Sequence, residues 1–226
     1  MAFDWGFAKP FSVGWYAVDY DGVLYRYREW YGCKENEEDQ GLRMNTTDVA
    51  RGILERETEK IKVRVADPAC WGKTPQGAKY GVRGPSVYED MAAEGIYFLK
   101  ADNDRLQGKM QVHQRFMMEK EFDDDGRTVI SETPRCRIFN SCEHFWRTIP
   151  ELREAGVSVS TRSKSQKAED IDTDSEDHIY DEFRYACMHR PITPRIKKRK
   201  IPVGSFQYER SKLIQAKKKR EGQLVL

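Results

Sequence analysis

Two runs rich in aromatic and β-branched residues, Ser-Val-Gly-Trp-Tyr-Ala-Val-Asp at 12–19 and Val-Leu-Tyr-Arg-Tyr-Arg-Glu-Trp at 23–30, flank the dipeptide Asp21-Gly22. Asp-Gly accepts the positive backbone angles of a tight turn, so Phe11 to Tyr31 reads as an antiparallel β-hairpin. That hairpin commits the chain to a sheet, and the elements after it decide which kind. Thr46 or Thr47 caps a helix reaching about Lys60, with Val49, Ile53 and Leu54 inward. Ile61-Lys-Val-Arg-Val-Ala66 alternates as a strand and stops at Asp67-Pro68, because proline cannot donate to a ladder. Residues 68–84, with four glycines and two prolines, form a long loop of the kind that is usually functional.

Further on, Ser86 to Glu94 reads as a short helix and Ile96-Tyr-Phe-Leu99 as a buried strand. Asn103 or Asp104 caps a helix through roughly Lys120, with Leu106, Met110, His113 and Met117 on its inner stripe. Asp123-Asp-Asp-Gly126 is a turn, the segments around Val129 and Ile138 are candidate strands, and Glu143 to Leu152 holds a helical turn interrupted at Pro150. A hairpin first and crossover helices later imply an α/β fold: a mixed sheet, hairpin plus parallel strands, flanked by helices. A short first strand around Phe3 would then lie beside the strand ending at Ala66. Asp4 and Asp67 would stand at their adjacent ends.

The third acidic segment is the most distinctive. Between Glu169 and Glu182, eight of fourteen residues are Asp or Glu and none is Lys or Arg. Thr173-x-x-Glu176 reads as a capping box, followed by an apolar stripe of Ile179, Phe183 and Ala186. Asp177 and Asp181 sit one turn apart and project together. Like charges at that spacing destabilise a helix, and a divalent cation is the obvious compensation. Each carboxylate also has a plainer reading, as a turn, a cap or a solvated face. Jointly those readings weaken, because the element order brings all three segments to one sheet edge. Carboxylates suit Mg²⁺ or Mn²⁺. Two such ions about 3.5–4 Å apart clamp both the attacking and leaving oxygens of phosphodiester hydrolysis.

Several alternatives are excluded by residue type. Asp67-Pro-Ala-Cys-Trp-Gly72-Lys73-Thr74 ends like a phosphate-binding loop, but Asp67 replaces its first glycine and would repel a phosphate. Asp4-Trp-Gly6 before a hairpin also opens actin-like ATPases, yet no comparable Asp-x-Gly begins a later strand and hairpin. Cys136, Cys142 and His144 fit no standard zinc spacing. Five cysteines without a C-x-x-C pair, no run of 18 apolar residues and no signal-peptide pattern lead us to expect a reduced, soluble, non-secreted protein without membrane contact. The aromatic rings crowded into 5–31 read as core rather than as base-stacking platforms. The net charge of +2 conceals a segregation: residues 191–226 carry eleven basic and two acidic side chains (+9), leaving −7 on residues 1–190. We therefore expect a domain over 1–190 and a basic tail or linker over 191–226 that meets a polyanion or a partner.

Phe3-Asp-Trp-Gly, Lys-Pro-Phe-Ser-Val and the hairpin, then Val-Ala-Asp67-Pro-Ala, resemble the C-terminal nuclease domain of large terminase subunits of tailed bacteriophages. So do Leu106-Gln-Gly-Lys-Met-Gln-Val and Ala168-Glu-Asp-Ile-Asp-Thr followed by Glu-Asp-His-Ile-Tyr-Asp-Glu-Phe-Arg-Tyr-Ala. The resemblance runs from about residue 3 to residue 190. It implies an RNase H-like fold and an endonuclease that cuts concatemeric viral double-stranded DNA during packaging in the host cytoplasm. It implies Asp4, Asp67 and Asp181 as catalytic metal ligands for two Mg²⁺ or Mn²⁺ ions, with Asp177 and His178 beside them. It also implies, as partners, an N-terminal packaging ATPase domain, the small terminase subunit and the portal. This chain has no Walker motif and begins three residues before Asp4, so we expect an excised domain without the motor activity. A catalytically silent RNase H-like module that binds DNA or a packaging partner is the alternative.

Overall fold

Asp19 organises the hairpin as much as Asp21-Gly22 does. In a computed structural model of the chain, β2 (Ser12–Val18) and β3 (Leu24–Tyr31) pair antiparallel, with a bulge between Trp15 and Tyr16. The Asp19 carboxylate accepts from the backbone of Asp21 at 3.0 Å and Val23 at 2.8 Å, and Gly22 adopts a φ of 82°. The connection is therefore a five-residue loop bound to one aspartate, longer than the tight two-residue turn expected. The structure describes residues 1–73, 84–123, 128–153 and 175–192, with Phe206, Arg210, Lys212 and Leu213 besides. The chain divides into two compact units, Met1–Ile192 and Thr193–Leu226. Most of the 68–84 loop, the middle of the 123–126 turn, Thr173 and nearly all of the basic tail lie outside the described residues.

The hairpin seeds a six-stranded mixed sheet. β1 (Ala2–Asp4) runs antiparallel to β2 and parallel to β4 (Val65–Ala66). β5 (Leu99–Lys100) extends the sheet beside β4 and β8 (Cys136–Ile138) beside β3, both parallel, giving the order β5-β4-β1-β2-β3-β8. β6 (Met118–Phe122) and β7 (Val129–Pro134) form a separate two-stranded ribbon. α1 (Thr46–Arg56) and α2 (Val87–Ala93) cover one face of the main sheet. α3 (Arg105–Phe116), α4 (Glu143–Thr148) and α5 (His178–His189) supply the other.

Strand alternation explains this double burial. On β1, Phe3 joins Val13, Trp15, Val49, Ile53 and Met91 in one core, whereas its neighbour Ala2 joins Val65, Tyr185 and Ala186 on the opposite face. Gly14, between Val13 and Trp15, faces α5, where a Cβ would collide with the side chains of Glu182 and Arg26. Most aromatic rings of 5–31 are core: Trp15 and Tyr31 are buried, with Trp5, Tyr27 and Trp30 packed alongside, while Phe7 and Tyr20 are exposed. All five cysteines are free thiols. Among the described residues no helix is long and apolar enough to cross a membrane.

Several expected elements shift. α1 is capped by Asn45 rather than a threonine, ends at Arg56, and leaves Leu54 exposed. The strands expected over 61–66 and 96–99 shorten to two residues each; Leu99 is exposed, and Ile96 and Phe98 provide the buried contacts. α3 is turned relative to the expectation. Leu106, Met110, His113 and Met117 face outward, while Gly108, Val112 and Arg115 are buried. The inner stripe holds a glycine because the Arg184 side chain lies where a Cβ at Gly108 would stand. An apolar count cannot detect a face chosen by a neighbour's guanidinium.

Candidate active site

Parallel pairing of β1 with β4 places the C-terminal ends of both strands at one edge of the sheet. Asp4 is the last residue of β1 and is buried. Asp67 directly follows β4, and its backbone NH donates to the Phe3 carbonyl at 3.1 Å. Pro68 stops the ladder there, and the Asp67 carboxylate caps the short 3₁₀ turn Pro68–Trp71 through Ala69 N at 2.9 Å. The first turn of α5 crosses the same edge because Ile179 and Phe183 anchor that helix in the core. It carries Asp177, His178 and Asp181. His178 Nδ1 lies 3.3 Å from Asp4 Oδ2, and its Nε2 lies 3.4 Å from Asp39 Oδ1. Lys9 pairs with Asp39 from the other side.

The helix entry differs from the expected capping box. α5 starts at His178, with Asp177 at the cap position but without a side-chain capping bond. Glu176 is committed elsewhere: it accepts from the Tyr31 hydroxyl at 2.8 Å and from both terminal nitrogens of Arg147 at 2.7 and 2.6 Å. That fork ties the segment before the helix to β3 and α4.

Charge is unbalanced at this edge. Burial, together with the nearby Asp181 and Asp67 charges, pushes the Asp4 carboxyl up to about 7 even though His178 pulls it down. Burial and then Asp181 raise Asp177 to about 6. Burial opposes a charged His178, but its contact with Asp4 and the charges of Asp4 and Asp177 together raise its pKa. The Tyr185 phenol is pushed well above its ordinary range, first by burial and then by Asp4, Asp181 and Asp67. Three carboxylates from three chain segments therefore act on one side chain.

Two arginines partly offset them. Arg184, buried beneath the cluster, donates from Nε to Asp181 Oδ1 at 3.1 Å, with a second nitrogen equally near. Arg105, the first residue of α3, places one nitrogen 3.5 Å from Asp181 Oδ2 and another 3.8 Å from Asp177 Oδ2. The Asp177/Asp181 pair, expected to need a divalent cation, thus already faces a guanidinium. Among the described residues, no group of three His, Cys, Asp or Glu side chains is gathered closely enough to hold a metal ion. In donor type the edge still fits a hard cation, since it offers carboxylate oxygens and a buried Asp4 that burial and its acidic neighbours make reluctant to ionise.

Sequence reasoning placed Asp4, Asp67, Asp177, His178 and Asp181 together, and the structure brings them to one edge. It missed Asp39, Arg105 and Arg184. Asp39 has a φ of 57°, a conformation that Asp tolerates better than most residues, but nothing in the polar loop around it signals that it reaches His178. Arg184 carries a signal in its i,i+3 spacing from Asp181.

No protein-family model matches the chain, and no curated protein does. Two solved structures match, both of the large terminase of a thermophilic bacteriophage, in two crystal forms. Each gives a TM-score of 0.50 at 18% identity over 82% of this chain. This chain spans 37% of the length of one and 38% of the other. At that identity the likeness is one of fold, and the fold of Met1–Ile192 is a terminase-like mixed α/β architecture of the RNase H-like kind.

Proposed function

We propose that this chain is a metal-dependent endodeoxyribonuclease that cuts concatemeric viral double-stranded DNA during genome packaging. The observation that carries the reading is the convergence of Asp4, Asp67 and the Asp177/Asp181 pair on one edge of a terminase-like sheet. In this reading Asp4, Asp67 and Asp181 hold Mg²⁺ or Mn²⁺, and the ions supply Lewis acidity and neutralise charge at the scissile phosphate. Asp4, central and buried, is the group whose ionisation depends most on a nearby cation. Asp67, stiffened by its bond to Ala69 N, presents its carboxylate from a rigid turn. Asp177 acts beside Asp181 and also ends the helix. His178 orients Asp4 through Nδ1, while Asp39 holds its far nitrogen. An N-terminal packaging ATPase domain, the small terminase subunit and the portal are the partners this role calls for. Residues 191–226, at +9, add phosphate contacts without base specificity.

Incubation with supercoiled plasmid and Mn²⁺ or Mg²⁺ tests the proposal. Nicking and degradation without sequence preference are expected, abolished by excess chelator. Asp181→Asn is expected to eliminate cutting, by at least about 100-fold given what oriented electrostatic groups contribute. Asp177→Asn should retain measurable activity at high Mn²⁺. Undiminished cutting in chelator, or a dead Asp177→Asn beside an active Asp181→Asn, overturns the assignment. The Arg105 contacts favour a second reading, a silent DNA- or partner-binding module whose acids are neutralised internally. Metal-independent DNA binding with no cleavage under any condition would select it.

A further inference from the structure

The two arginines that meet Asp181 are not equivalent. Arg184 is buried, only 2% of its side chain exposed, with its stem against Gly108, and it grips Oδ1 with two nitrogens. Arg105 approaches the opposite oxygen, Oδ2, at 3.5 Å and spans to Asp177 Oδ2 at 3.8 Å, with 33% of its side chain exposed. Asp181 therefore has one oxygen fixed from inside the core and one covered from the solvent side. The covered oxygen is the one Arg184 does not already grip.

We propose that Arg105 is a displaceable counter-ion. With no metal bound, its guanidinium spans Asp177 and Asp181; a divalent cation taking those carboxylates must push it out toward solvent. The inference rests on the metal-dependent reading above and adds to it a threshold, set by this chain, for metal entry. The physical case has three parts. Arg105 lies against Oδ2, the oxygen Arg184 leaves open to a metal, so guanidinium and dication compete for one place and repel each other there. Contacts of 3.5 and 3.8 Å are longer than good charge-assisted hydrogen bonds, so a dication can win the exchange. Arg105 sits at the start of α3 on a long side chain that can swing without moving the helix, whereas Arg184 cannot leave without opening a hole beside Gly108. The acids are held on an internal cation until an external one replaces it.

Calorimetric titration of the full chain with Mn²⁺ alone, without DNA, tests this. Arg105→Gln should bind Mn²⁺ about tenfold more tightly than the unaltered chain, a change of about 1.4 kcal/mol. Its Tm in chelator should fall, and saturating Mn²⁺ should restore it. Arg105→Lys keeps the charge but loses the two-pronged reach; it should bind a few-fold more tightly, and it carries the test if the glutamine variant fails to fold. Placing Asp181→Asn in the Arg105→Gln background should abolish the gain. Equal Mn²⁺ affinity with and without Arg105 overturns the counter-ion role while leaving the metal site standing. Weaker binding by Arg105→Gln makes Arg105 a support of the site, which also overturns it. No Mn²⁺ binding by any variant removes both this inference and the reading beneath it.

Discussion

Asp181 and Glu182 are consecutive on α5, yet they inhabit opposite electrostatic regimes. Glu182 points into the sheet and has no exposed surface. There it meets Arg26 in a close ion pair, accepts from the Tyr16 hydroxyl at 2.8 Å and lies 3.4 Å from Ser12 Oγ. Arg26 in turn reaches Glu29 at 3.3 Å and lies over the ring of Phe145 at 5.1 Å. Arg26, Tyr16 and Ser12 all turn to this one carboxylate within the core, and Gly14 makes room for them. Asp181, about 100° around the helix, is gripped by Arg184 on one oxygen and joins Asp4, Asp67 and Asp177 in a crowd of acids with less positive charge than negative. A buried pair of this kind locks a fold because removing either partner strands the other's charge in the core. A cluster left short of positive charge has shifted proton affinities, and such clusters gather where chemistry is done.

That contrast can be broken by experiment. Glu182→Ala should show the largest effect, a loss of about 3–5 kcal/mol in urea denaturation, because it strands the buried Arg26 without its partner. A cost below about 1 kcal/mol would mean the core pair is not a structural lock. Asp4→Asn should act in the opposite direction, and only where Asp4 is ionised. Its folded pKa of about 7 lies above the ordinary 3.8, so its favourable contribution is present at about pH 4 and lost as pH rises through about 7. In chelator the variant should match the unaltered chain near pH 4 and exceed it at pH 8, by on the order of 2–4 kcal/mol from the size of the shift. His178 moves the same way: its raised pKa stabilises at low pH and fades as pH rises, and since Asp4 helps to raise it, the variant gives back part of that low-pH contribution. A variant as unstable as the unaltered chain at pH 8 would show that Asp4 is already compensated. Arg51→Ala, which breaks an exposed pair with Glu94 on the far helices, should change stability by no more than about 0.5 kcal/mol. A larger loss there would undo the distinction between matched core charge and idle surface charge.

How much of this could be read from the chain depends on the range of the interaction concerned. The hairpin, the arrest at Asp67-Pro68 and the helical stripe of Ile179 and Phe183 are local: turn chemistry, a missing backbone donor and side-chain periodicity operate within a few residues. From their order followed a mixed sheet with Asp4 and Asp67 side by side, and α5 brought Asp177, His178 and Asp181 to the same edge. The inner face of α3 did not follow. Leu106, Met110 and Met117 form an apolar stripe as convincing as any, yet Gly108 faces inward because Arg184, 76 positions later, occupies the space. Glu176 reads as a cap and serves instead as the acceptor for Tyr31 and Arg147. Asp39 reaches His178 from a loop, and Arg105 reaches Asp177 and Asp181 from another helix. Sequence by itself determined which acids stand at the sheet edge, because strand ends and helix faces obey short-range rules. Only the tertiary structure decided which of them are matched, since charge compensation depends on distance in space and the compensating residues lie far away in the chain.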